Sequence, residues 1–122
     1  MGTSLQEALH QILAAEGVRT VALIDIASGM VVRFVGEPNP GLATAAVSLA
    51  DEARAARGLL GSRPGGELEE IAAVTDSGLH LSRVLLDKPG EGFLLFVDVD
   101  RARANIALAS LRVGQFAPAV LA

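Results

Sequence analysis

His10 and His80 are the only imidazoles in a chain of 122 residues that has no cysteine and no tyrosine. A histidine acting as a base or metal ligand needs a partner group, and no His-x-x-x-His or His-Glu pair supplies one. The spacing puts His10 on the polar face of a helix and His80 on a strand between Leu79 and Leu81. Both read as surface or edge residues, and no metal site is expected. Asp98 and Asp100, with Asp25, are the carboxylates that acid–base chemistry would recruit. At strand ends such groups more often accept turn amides or cap helices, and Asp100 is expected to cap the third helix. The run Gly58-Leu59-Leu60-Gly61-Ser62-Arg63-Pro64-Gly65-Gly66 is rich in glycine. It lacks the Gly-Lys-[Ser/Thr] of a phosphate loop and closes a helix instead of opening one, so it reads as a connection. Arg54 and Arg57 have the chemistry of a GTPase-activating finger, but at helical spacing they fall beside Asp51 and Glu52 and read as a solvated edge. No catalytic, cofactor-binding or metal-binding residue is assigned, and the chain is read as a non-enzyme.

Composition narrows the partners. Hydrophobic residues make up 51% and charged residues 20%, so the chain folds, as one domain over 1–122 with its core at about 5–113 and a tail at 114–122. A net charge of -4 repels phosphate backbones, which argues against nucleic acid. No apolar run is long enough to span a bilayer, and Gly2 lacks the Ser or Thr that a myristoylation signal needs at the position of Gln6. Absence of cysteine fits a reducing compartment, so the cytoplasm is the expected location. A mean hydropathy of +0.45 is high for so small a domain, which implies apolar surface facing a partner subunit.

The elements that position these residues follow from periodicity. Ser4 with Glu7 forms a capping box, and Leu5, Leu9, Ile12 and Leu13 carry a helix to about Glu16, closed by Gly17. Val18 to Ile26 is apolar on both faces. It turns at Ser28-Gly29 into Met30 to Val35, where Arg33 marks a more exposed strand. Leu42 to Leu60 is an alanine-rich helix closed by Gly61. Its stripes Leu42, Ala46, Leu49, Ala53, Ala56, Leu60 and Ala43, Val47, Ala50 are wide enough to pack against two surfaces. After the Ser62–Gly66 loop come strands at Leu68 to Thr75, Leu79 to Leu86 and Phe93 to Val99, with turns at Asp76 to Gly78 and Asp87 to Gly92. Ala102 to about Val113 is a last helix, ended near Gly114, with Pro118 opposing extension. Placing the two doubly apolar strands centrally gives an α/β (α+β) domain, α-β-β-α-β-β-β-α, whose antiparallel sheet has order 2-1-5-4-3 with helices on both faces. Strand three is then an edge without Lys, Pro or bulge-forming Gly, where a partner strand can add.

This order of elements resembles the roadblock/dynein light-chain family, a profilin-like fold, over about Leu5 to Val113. The resemblance is carried by Val21-Ala22-Leu23-Ile24-Asp25 running through Ser28-Gly29 into Val31-Val32, by the alanine-rich second helix, and by Asp100-Arg101-Ala102-Arg103-Ala104-Asn105-Ile106-Ala107-Leu108-Ala109. It implies a homodimer formed by edge strands and second helices. The expected interface is Ala43, Ala46, Val47, Ala50, Arg54, Ile71, Ala72, Ala73 and Val74. It also implies a small Ras-like GTPase as partner, regulated or scaffolded, and a sensor kinase-like protein as a further associate. Lys88 is the only lysine, a bias that resembles proteins of GC-rich bacterial genomes. The alternative is a small-ligand sensory or regulatory domain, which needs a roomy cavity with convergent polar groups.

Overall fold

The computed structural model describes residues 4–61, 67–86 and 90–121. Gly2, Ser62–Gly66, Asp87 and Lys88 lie outside the described residues. The elements are α1 (Leu5–Leu13), β1 (Val18–Asp25), β2 (Val31–Gly36), α2 (Leu42–Leu60), β3 (Glu70–Val74), β4 (Gly78–Leu85), β5 (Phe93–Asp100) and α3 (Ile106–Val120). The sheet is antiparallel with order β2-β1-β5-β4-β3, as expected from the two strands that are apolar on both faces.

Alternation along the central strands separates two cores. Val21 and Leu23 of β1 and Leu95, Val97 and Val99 of β5 face α1 and α3, joined there by Leu9, Ile12, Val113 and Ala117. Ala22, Ile24, Leu94 and Phe96 face α2, meeting Leu42, Ala46 and Ala53. Burying each such Leu, Ile, Val or Phe side chain contributes about 1.5–3 kcal/mol, and the alanines less, so the pair of cores holds the helices to opposite faces.

α1 begins where Ser4 Oγ accepts the Glu7 amide at 3.1 Å, and it stops at Leu13, before the expected Glu16. The turn after it ends on Gly17, whose φ is +86°. A Cβ there would stand 2.6 Å from the Cβ of Ala104, so both backbone conformation and close approach demand glycine. Gly61, in contrast, closes α2 with a right-handed backbone at φ -67°.

Two expectations about α3 are corrected. The helix starts at Ile106, not Ala102, and the 114–122 segment is not a tail, because α3 continues through Gly114 and Pro118 to Val120. Proline removes the bond its own N–H would donate to Gly114 and crowds that carbonyl, and burial of Ala117 and Val120 against the core offsets that loss. Asp100 does not cap α3 either. Its Oδ1 accepts the Ala102 amide at 3.0 Å in the preceding turn, and Asn105 Oδ1 caps the helix by accepting the Leu108 amide at 3.1 Å.

Candidate functional interface

The two sheet edges differ. β2 pairs Leu23 with Arg33 and Ile24 with Val31, so Val32 is an extra residue without a partner on β1, a bulge that interrupts the edge. β3 runs in unbroken register against β4, from Glu70 opposite Arg83 to Val74 opposite Leu79. The Thr75 amide donates to the Gly78 carbonyl at 2.9 Å, and the Val84 amide to the Glu69 carbonyl at 2.8 Å. Because bonded rungs alternate in an antiparallel ladder, Ile71 and Ala73 direct their backbone groups inward to β4. Glu70, Ala72 and Val74 therefore aim N–H and C=O outward, and Ala72, Ala73 and Val74 are solvent-exposed.

Beside this edge, between β3–β4 and the N-terminal half of α2, lies a cleft of about 310 Å³. α2 lines it with Leu42, Ala45, Ser48, Leu49 and Glu52, and the sheet with Ile71, Ala72, Ala73, His80, Ser82 and Phe96. The α2 residues expected at an interface differ in exposure. Ala46 and Ala50 are fully buried within this chain. Ala43 and Val47 are exposed, but Val47 lies over Gly29, on the flank away from β3. Arg54 pairs with Asp51 and donates to the Ile26 carbonyl at 2.6 Å, holding the β1–β2 connection. Arg57 donates to the Glu91 carbonyl at 2.7 Å instead of pairing with Glu52. Within this chain α2 buries Leu42, Ala46 and Ala53 of the first stripe and Ala50 of the second.

At the upper end of the cleft the sheet brings together three groups remote in sequence. Asp98, 9% exposed, sits in register with His80 on β4 and with Thr20 on β1. Its Oδ1 is 3.2 Å from Arg19 Nη2 and 3.2 Å from His80 Nε2, and the imidazole lies 5.5 Å from the Phe96 ring. One carboxylate thereby staples β1, β5 and β4. His80 and Asp98 are 18 residues apart, and only the β4–β5 register makes them neighbours. Asp25 accepts the Ser28 hydroxyl at 2.7 Å and serves the β1–β2 turn. His10 Nε2 contacts Gln6 Nε2 at 3.3 Å on the exposed side of α1. Among the described residues no group of three or more His, Cys, Asp or Glu is arranged to hold a metal ion, and no helix is long and apolar enough to cross a membrane.

No protein-family model and no curated protein matches the chain. Solved structures do. The gliding protein MglB from Thermus thermophilus is 24% identical over 95% of this chain and 84% of its own, with TM-score 0.78. MglB of Myxococcus xanthus is 17% identical over 95% of this chain and 90% of its own, with TM-score 0.79. A Roadblock/LC7 domain from Streptomyces avermitilis is 15% identical over 97% and 95%, with TM-score 0.76.

Proposed function

We propose that this chain, which has the roadblock fold, is a non-enzymatic cytoplasmic interaction module that pairs with itself along β3 and presents the paired surface to a small Ras-like GTPase. The observation that carries the self-pairing is the unbroken, outward-bonding β3 edge beside an open cleft. A two-fold pairing centred on Ala72 sets Ala72 against Ala72 and Glu70 against Val74. The two Glu70 carboxylates then stay at opposite ends of the ladder, and no like charges face each other. The α2 flank brought toward the second copy is then Ala45, Ser48, Leu49 and Glu52.

The GTPase reading is supported by likeness of fold to MglB, a gliding protein. Regulation through a paired surface predicts two chains per GTPase and an affinity that depends on nucleotide, because switch segments are ordered differently in the two states. Titrating the protein into a small Ras-like GTPase from the same genome, loaded with GDP or a GTP analogue, tests this. Equal affinity for both forms removes the regulatory role. The cleft favours the small-ligand reading as a second possibility, since its volume lies at the lower end of ligand pockets and His80 and Ser82 offer polar contacts within it. A ligand that binds this cleft competes with self-pairing, so loss of the paired form on ligand addition identifies the sensor.

A further inference from the structure

The side of β4 that faces α2 carries polar groups in the middle of the sheet. Leu79, Leu81 and Leu85 turn to the core under α1 and α3, so His80 and Ser82 turn toward α2. Ser82 stands in register between Ile71 of β3 and Phe96 of β5. It is 1% exposed, it lines the cleft beside α2, and its hydroxyl has no hydrogen-bond partner among the described residues. Thr20, equally buried on β1, donates its hydroxyl to the Glu37 carbonyl at 3.0 Å. Burying a hydroxyl without such a bond costs stability, so the cleft is where Ser82 must find its partner.

A second uncommitted group lines the same cleft. Glu52 has no ion pair among the described residues, because Arg54 is taken by Asp51 and the Ile26 carbonyl and Arg57 by the Glu91 carbonyl. Ser48 lies one turn before Glu52 on the same face of α2. The opposing walls are apolar, with Leu49, Ile71 and Phe96 among them, and no Arg or Lys lines the cleft. Its free polar atoms are thus oxygens able to accept, and its one formal charge is negative. An anion would bring its charge to Glu52 with no cation to offset the repulsion, and a wholly apolar molecule would leave Ser82 unsatisfied. An ammonium group, with three donors and no acceptor, answers both.

We propose that the cleft between α2 and β3–β4 binds a small organic amine, whose ammonium is drawn in by Glu52 and hydrogen-bonded by the Ser82 hydroxyl at the floor, with its apolar body against Leu49, Ile71 and Phe96. This rests on the small-ligand reading of the cleft and adds the charge and shape of the ligand. Ser82 is kept in the sheet for binding, at a cost to the stability of the empty protein.

Three probes that share a phenethyl body and differ in charge test this: 2-phenylethylamine, 2-phenylethanol and 3-phenylpropionate, each titrated into the full chain while the amide resonances of Ile71, Ala73 and Ser82 are followed by NMR. Self-pairing lowers the apparent affinity of all three alike, so their ratios report the cleft. The amine is expected to bind about tenfold more tightly than the alcohol, with 3-phenylpropionate weakest. Glu52→Gln abolishes the preference for the amine over the alcohol. Ser82→Ala weakens both about tenfold without lowering the melting temperature, because the hydroxyl has no bond to lose in the empty protein. Ser82→Ala that lowers the melting temperature and leaves binding unchanged overturns the proposal. If the alcohol or the carboxylate binds as tightly as the amine, the proposal falls and the small-ligand reading stands. If no probe shifts these resonances at about 10 mM, above the millimolar constants of weak fragments, both fall. Amine binding that leaves the paired form intact by sedimentation upholds the site and removes its control of self-pairing.

Discussion

Proline scanning of β3 separates outward from inward backbone groups by one residue. Ala72 pairs with Leu81 in an unbonded rung, so its N–H faces solvent, while Ala73 pairs with His80 in a bonded rung. In the two-fold pairing centred on Ala72, the central rung holds two amide–carbonyl bonds, one donated by each copy. Ala72→Pro removes both. At about 1 kcal/mol net per bond the loss is about 2 kcal/mol, which weakens the dissociation constant roughly thirtyfold, and the pyrrolidine rings crowd the same rung. The fold itself is spared, since β4 never used that N–H and proline is tolerated at an outward-facing edge position. Ala73→Pro does the opposite: it breaks the rung to His80 and costs the chain roughly 2–3 kcal/mol of folding stability. Sedimentation equilibrium reads the first effect and urea denaturation the second. A dissociation constant for Ala72→Pro within threefold of wild type, or a larger loss of folding stability in Ala72→Pro than in Ala73→Pro, refutes the reasoning.

Gly17→Ala is expected to destabilise the fold by about 2–4 kcal/mol, from the left-handed backbone and the overlap with Ala104, seen as a lowered melting temperature. Asn105→Ala removes the α3 cap at a cost of about 1 kcal/mol, and hydrogen exchange localises the loss to Ile106–Ala109. Asp98→Leu leaves Arg19 without its carboxylate and the β1–β5–β4 staple open, costing roughly 1–3 kcal/mol by denaturant unfolding. Gly114→Ala fills open space and improves helix propensity, raising stability by about 1 kcal/mol, which a higher melting temperature reads.

Element order and sheet order were legible in the sequence because both rest on local periodicity and the count of apolar faces. Val18–Asp25 and Phe93–Asp100 carry aliphatic residues at consecutive positions, which only a strand covered on both sides can bury, and that alone sends them to the centre of the sheet. The undefended β3 edge was legible for the same reason: its lack of Lys, Pro and bulge is a property of five residues. Helix boundaries that depend on what lies opposite were not. Pro118 stops a helix by intrinsic preference, yet the core beneath Ala117 and Val120 outweighs one missing bond, and no local pattern reports the depth of a core.

The interface residues divide in the same way. Small residues on α2 marked it as a helix suited to close packing, but which of Ala43, Ala46, Val47 and Ala50 are buried depends on rotation about the helix axis, and that rotation is set by the docking of Leu42, Ala46 and Ala53 on the sheet. The cluster of Arg19, His80 and Asp98 depends on strand register, a relation among residues up to 79 positions apart that short-range spacing does not encode. The sequence by itself determined which segments pair and which faces must be buried, because each of those choices is made residue by residue against water. Tertiary structure decided which side chains meet and which remain free for a partner, because packing fixes the phase of each helix and the register of each strand only when the whole core closes.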